Sequence, residues 1–469
     1  MPTLVAELAD FAHHQHHRGL PAAVEGRAEL ALLDTYGCIV AGAATDPARA
    51  VAGHLAEQHP GRPLHELPRQ DAALWLGTAA HAHDYDDAQL PTMVHPSTVA
   101  VPTALANSRS NSRSNSLSAD STSLLRAAAL GAETALRTGA AALDGADSAL
   151  FERGLHMTSL CGTLGAAVTA GLLRGLDPER LAHALAIATS LACGLLEANR
   201  TGGTVKPVHA GWAAAAGTTA ASLAAHGLTG APTALEGRFG YLAAFVGPTA
   251  RPEALTEGLG ERWHYLDTVI KPYPTNGFTH PAVELAVLLR AEGIGPDRID
   301  SIRLDLPGPT LRTVAEPPEA KAAPPGGYAA RFSAPFAVAV ALRGGGGLGV
   351  ALEDFPDAAV HDPGLLALAA RVHCRAGARE SAAFPGHLGA TLHAVLRDGT
   401  TRTLHVADTL GSPARPLTRA QVEAKFTANT GLPPLARPVD PAALLAALEP
   451  AFTAAAAPVA APTAGGELV

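Results

Sequence analysis

The sequence predicts a mainly α protein: a large all-helical domain, built from the N-terminal part and a C-terminal segment, with a smaller α+β domain inserted between them. Three observations carry this. Apolar residues recur at three- and four-residue steps through the first half, which is the spacing of helices with one buried face. After about Trp263 apolar and polar residues begin to alternate, which is the spacing of half-buried strands. From Thr418 the helical spacing returns. The expected division is 1–265 helical, 266–410 inserted α+β, and 411–469 rejoining the helical part.

Helices are expected around Arg27–Val40, Ala72–Tyr85 and Leu124–Thr138. Asp177-Pro178 reads as a helix start, an N-cap aspartate followed by proline in the first turn. Behind it Leu181, Ala184, Leu185, Ala188, Leu191, Ala192 and Leu195 keep the helical step. A second Ala-rich helix is expected from about His209 to His226, stopping at Gly227. Alanine on these faces lets helices approach closely. Between Asn107 and Ser123 a Ser/Asn-rich run cannot bury apolar surface and reads as a surface loop. Strands are expected at Ile299–Leu306, Leu368–Cys374, Ala390–Leu396 and Thr401–Val406, the last two flanking the turn Arg397-Asp398-Gly399. Helices at His280–Glu292 and Ala334–Leu342 intersperse with them. The Ala/Pro-rich end of the chain reads as frayed.

Composition narrows the function. Hydrophobic residues make up 47% of the 469 positions but aromatics only 4%, so the core is packed with alanine, leucine and valine. A mean hydropathy of +0.14 excludes disorder over most of the length. The net charge of −9 argues against nucleic-acid binding through bulk charge. Cys38, Cys161, Cys193 and Cys374 form no CxxC pair, so neither a disulfide framework nor a zinc knuckle is readable. The first residues show no basic start followed by an apolar run, and the expected location is the cytoplasm. The uncharged stretch from Pro207 to Leu235 is rich in Ala, Gly, Thr and Ser and holds His209 and His226, so it reads as a buried helix rather than a membrane span.

Lysine occurs four times, at Lys206, Lys271, Lys321 and Lys425, against thirty arginines. Where arginine supplies nearly every generic positive charge, each remaining lysine is informative, because its pKa falls readily on burial. Lys206 and Lys271 each precede proline, in TGGTVKPVHAG and VIKPYPTNGFTH, whereas Lys321 reads as a surface lysine. The densest polar cluster is HAHDYDDAQLPTMVHPS, with His81, His83, Asp84, Asp86, Asp87 and His95. A metallohydrolase HxHxDH pattern fails because Tyr85 stands where aspartate is required. Acid–base work by Asp84 and His95 needs no metal, only that the two converge on one pocket. His156, in GLHMTSLCGTLGAA, stands just before a helix start offered by Thr158 or Ser159, and a helix N-terminus suits a carboxylate ligand. The run Gly344–Gly349 matches GxGxxG but no βαβ unit surrounds it, and no GxSxG elbow is present.

Taken in order, DYDD…HPS (84–97), GLHMTSLCGTLGAA (154–167), GTVKPVHAGWAAAAG (203–217), HGLTGAPTALEGRFGY (226–241) and VIKPYPTNGFTHPAVE (269–284) resemble the MmgE/PrpD family. RFSAPFAVAVAL (331–342) and RAQVEAKF (419–426) are further matches. That family includes methylcitrate dehydratase, cis-aconitate decarboxylase and iminodisuccinate epimerase. The resemblance implies a helical domain with an inserted lid, a homodimer, and an active site between the domains with no metal or organic cofactor. It implies catalytic roles for Asp84, His95, His156, Lys206 and Lys271, and substrate contacts from Thr204, His209, His280 and Asn276. Three positions depart from the pattern: Ala88 replaces a common threonine, Asn276 a histidine of the decarboxylase branch, and Phe336 a frequent tyrosine. The implied reaction is dehydration or decarboxylation of a small di- or tricarboxylic acid through a carbanion-like intermediate. Epimerisation of a related dicarboxylate, or a catalytically lapsed carboxylate binder, are the alternatives.

Overall fold

The computed structural model describes residues 2–108, 120–145, 147–198 and 203–457. Most of the Ser/Asn-rich run and the last residues expected to fray lie outside them. The longer helices of the first part are α1 (Leu4–Arg18), α2 (Ala22–Gly42), α3 (Asp46–Gln58), α4 (Arg69–His81), α5 (Ser97–Asn107), α6 (Ser121–Ala140), α7 (Met157–Leu173), α8 (Pro178–Leu191) and α9 (Lys206–Ala225). At the start of α8, Asp177 accepts from the Arg180 N–H, the cap the Asp-Pro pair predicts. The helical step overran its end: α8 stops at Leu191, because Ala192 is extended and Gly194 adopts φ +138.

Helix α7 is buried along nearly its whole length and packs beside α9, which also lies on α4. The α4–α9 contact depends on small residues, as the alanine-rich faces predict. A Cβ on Gly211 would stand 2.1 Å from the Leu74 carbonyl oxygen, and one on Gly77 would stand 2.8 Å from the Gly211 Cα. No helix among the described residues is long and apolar enough to cross a membrane.

A second core follows. Strands β1 (Ile299–Leu306), β2 (Val372–Ala376), β3 (Ala390–Leu396) and β4 (Thr401–Val406) form one sheet in the order β2-β1-β3-β4. The β1–β2 pair is parallel and the other two are antiparallel, with Leu304 opposite Cys374 on one side and Leu392 on the other. Ile302, Leu304, Leu392 and Ala394 turn one sheet face to α10 (His280–Ala291) and α11 (Ala334–Arg343), joining Val283, Leu285, Phe336 and Val338 in that core. The expected strand at Leu368–Cys374 begins only at Val372. Residues Pro363–Ala369 are helical instead, because Asp362 caps the Gly364 and Leu365 N–H groups ahead of Pro363. Past the sheet the chain returns to the first core. Helix α12 (Arg419–Thr430) lies on α2, with Phe426 and Tyr36 rings 6.3 Å apart.

Candidate active site

Helix α4 ends at His81, four residues before the Ala72–Tyr85 pattern would end it. The reason is Asp84, which adopts φ +52, a left-handed conformation incompatible with continuing the helix. The chain leaves α4 in a turn that presents Asp84 and Asp86 in succession. Reciprocal backbone hydrogen bonds between Ala88 and Val269, at 3.0 and 2.7 Å, hold that turn beside residues 269–271. Tyr85 adds to this by donating its hydroxyl to the Pro272 carbonyl at 3.0 Å.

Lys271 is thereby delivered to Asp84. Its Nζ donates to the Asp84 backbone carbonyl at 2.6 Å and to Oδ1 at 3.1 Å. Lys206, the first residue of α9, places Nζ 3.7 Å from the same oxygen, and His95 places Nε2 3.8 Å away. Burial works to raise the Asp84 pKa, but the two ammoniums and His95 outweigh it and hold the carboxyl well below the ordinary range. Burial likewise opposes the Lys206 charge, and Asp84 outweighs it, so the Lys206 pKa is raised. The expectation that burial lowers a lysine pKa does not apply to Lys206. It is a standing cation because its counter-charge is close.

Asp86 is fully buried and accepts from two imidazoles, His81 Nδ1 at 3.0 Å and His95 Nδ1 at 2.9 Å. Burial tends to raise its pKa, and His81 and His95 bring it well below the usual value. His156 is the N-cap residue of α7; its backbone N–H donates to the Gly194 carbonyl, and its side chain does not cap the helix. Its Nδ1 lies 3.2 Å from His209 Nδ1, so one ring donates and the other accepts. Its ring stacks 5.6 Å from that of His81. Burial lowers both pKa values, His209 to about 4.

The structure thus gathers Asp84, His95, His156, Lys206, Lys271 and His209. His280 is buried near Lys271, but its Nε2 is engaged by the Thr275 carbonyl at 2.9 Å. Asn276 uses its side-chain carbonyl to accept from Phe278 N–H, and Thr204 is exposed in the bend ahead of α9. Neither makes a hydrogen bond to the cluster. His81 and Asp86 were not singled out from the sequence as site residues, although both stand in the polar run. Their part shows only once the turn after α4 folds back on itself. Tyr328 and Arg331 were also missed. Arg331 Nη1 donates to the His83 carbonyl at 3.0 Å and its guanidinium lies 4.7 Å from the centre of the half-exposed Tyr328 ring. Burial raises the Tyr328 pKa, and the fields of Asp84 and Lys206 also reach it.

Donor atoms of His81, Asp84, Asp86 and His95 lie within 4.8 Å of one another, a spacing to test against a metal ion. Both imidazole Nδ1 protons are committed to Asp86, and Asp84 is held by two ammoniums. A divalent cation here would have to displace those protons and face two fixed positive charges. The donors fit internal charge pairing better than a metal.

The fold is mainly α, and the cluster sets carboxylates, imidazoles and two ammoniums side by side. The MmgE/PrpD N-terminal domain model matches residues 6–253 and the MmgE/PrpD C-terminal domain model residues 273–434, so the chain belongs to the MmgE/PrpD family. It is similar to the cis-aconitate decarboxylases of Homo sapiens (28% identical, 86% of this chain and 82% of that protein) and Mus musculus (30%, 79% and 73%). The cis-aconitate decarboxylase of Aspergillus terreus is 29% identical over 60% of this chain, a match spanning 59% of that protein.

Proposed function

We propose that this chain is a metal-independent lyase acting on a small di- or tricarboxylic acid. The observation that carries the reading is the convergence of Lys206, Lys271 and His95 on the single oxygen Asp84 Oδ1. Lys206 and Lys271 pair with substrate carboxylates, with the buried Arg331 as a third cation. In a partly closed cleft such pairing stabilises charge that develops on a carbon next to a carboxylate. In decarboxylation the bond from carbon to a carboxylate breaks, its electron pair spreads into a neighbouring carboxylate, and carbon dioxide leaves. For this step His95 must carry a proton on Nε2 as well as on Nδ1; backed by Asp86, it passes the Nε2 proton to that carbon. In dehydration neutral His95 instead takes a proton from the carbon next to a carboxylate and returns it to the β-hydroxyl, whose bond to carbon breaks as water leaves. The names of the relatives make cis-aconitate the first substrate to test.

The experiment is incubation with cis-aconitate and related acids in deuterated water, followed by NMR. Loss of carbon dioxide or water with deuterium uptake supports a lyase. Exchange or inversion without either loss supports an epimerase, for which His95 with Asp86 and His156 with His209 supply two separate proton carriers. Binding without exchange across the panel overturns the enzymatic reading and leaves a carboxylate-binding protein. We further read the chain as a homodimer, which sedimentation tests directly.

A further inference from the structure

Asp86 serves two histidines at once. His81 and His95 both donate Nδ1–H to it, at 3.0 and 2.9 Å, and their rings meet edge to face with centroids 4.8 Å apart. His81 is 1% exposed, closes α4, and has a buried Nε2 with no hydrogen-bond partner among the described residues. A carboxylate that accepts from an imidazole Nδ1–H fixes that ring in the tautomer whose Nε2 carries the lone pair. Here one carboxylate fixes two rings. Because the rings are close, a proton gained at His95 opposes one at His81. Other charged and titratable groups facing the pair include Asp84, which lies near His95 Nε2, Lys206, His156, stacked on His81, and His209, bonded to His156 and within reach of the His81 charge. Thr158 completes the surround by accepting the His95 backbone N–H at 3.1 Å.

We propose that His81 is a positioning residue for His95: by sharing Asp86 it holds His95 with Nε2 turned toward Asp84, and it divides the carboxylate's charge between two rings. The proposal rests on His95 as the proton-transferring group of the preceding section. Removing His81 leaves Asp86 to serve His95 alone. His95 then binds its proton more tightly, and whichever limb of the pH–rate profile reports His95 moves up in pH.

Two variants separate the parts of this claim. His81→Phe keeps a flat ring and loses the donor; His81→Asn keeps a side-chain N–H where Nδ1 was. His81→Phe is expected to lower kcat about tenfold, the low end of a general acid–base contribution, with KM within about twofold. The limb is expected to rise by about one pH unit, the usual spread of histidine values in proteins. His81→Asn is expected to restore both. The same variants are read without substrate by NMR of the histidine ring nitrogens in the full chain. There His81 and His95 both carry the proton on Nδ1, and the His95 midpoint rises in His81→Phe. An unchanged midpoint and tautomer in a folded His81→Phe overturns the inference, as does a His81→Asn variant as impaired as His81→Phe. A shifted midpoint with an unshifted rate profile upholds the inference and overturns only the assignment of His95 as the reacting group.

Discussion

Lys271 Nζ binds Asp84 twice, at the backbone carbonyl and at Oδ1. One ammonium therefore both fixes a left-handed residue and sets the charge of its side chain. Lys271→Met removes both effects and is expected to lower kcat/KM by roughly a hundredfold or more, the scale of losing one electrostatic stabiliser. Steady-state kinetics on the substrate found by the NMR panel would check it.

Lys206 acts on Asp84 from α9, at 3.7 Å and with its side chain 20% exposed. Among the described residues its ammonium makes no hydrogen bond to backbone, so Lys206→Ala separates charge from structure. Turnover is expected to fall about a hundredfold while the melting temperature stays near that of the parent. Near-normal turnover in that variant removes Lys206 from the mechanism.

Acid is expected to destabilise the protein. Burial lowers His83 and His209 to about 4 and His280 to about 3, so the folded state refuses protons that the unfolded chain accepts. Their contribution to stability is full above the ordinary histidine value near 6.5 and is lost as pH falls from there toward 4. The lowered carboxyls of Asp84 and Asp86 act in the same sense at lower pH, since their contribution is present above the ordinary carboxylate value and lost as they protonate. Melting temperatures taken from pH 7.5 down to 4.5 should fall steadily; a flat profile contradicts the burial of these rings.

Lys425 and Asp34 form a salt bridge at 2.6 Å with both side chains 1% exposed. Lys425 also donates to the Tyr85 carbonyl at 2.7 Å and lies 3.7 Å from the centre of the Tyr85 ring. Burial raises the Asp34 pKa to about 6 even with Lys425 alongside. Lys425→Met strands the carboxylate and is expected to cost about 3–5 kcal/mol, measured by urea unfolding. The double variant Asp34→Leu/Lys425→Met should recover much of that loss.

Gly211→Ala places a methyl group 2.1 Å from the Leu74 carbonyl oxygen and 2.3 Å from Thr78 Oγ1. Helices α4 and α9 must then part, at a cost of about 1–3 kcal/mol. Since α9 carries Lys206 and His209, kcat is expected to fall together with the melting temperature.

The helices and the antiparallel strands were legible because each depends on its own spacing. Where the reading slipped, a local feature overrode the periodicity. Asp84 at φ +52 cut α4 short, and the cap by Asp362 turned the start of an expected strand into a helix. The site was legible differently. Asp84 and Lys271 stand 187 positions apart and nothing in their spacing joins them; the family resemblance did. His81 and Asp86 needed the folded turn, because a carboxylate shared by two rings is a relation between side chains that leaves no period in the sequence.

The turn after α4 is gripped from the second part of the chain at neighbouring carbonyls, His83 by Arg331 and Asp84 by Lys271. The Arg331 bond comes from the part of the chain that builds the second core, whereas Lys271 follows Ile270, a residue of the first core. If these cations pair with substrate carboxylates as proposed, a bound anion competes with the carbonyls of His83 and Asp84 for the same side chains, so occupancy and the shape of this turn are linked.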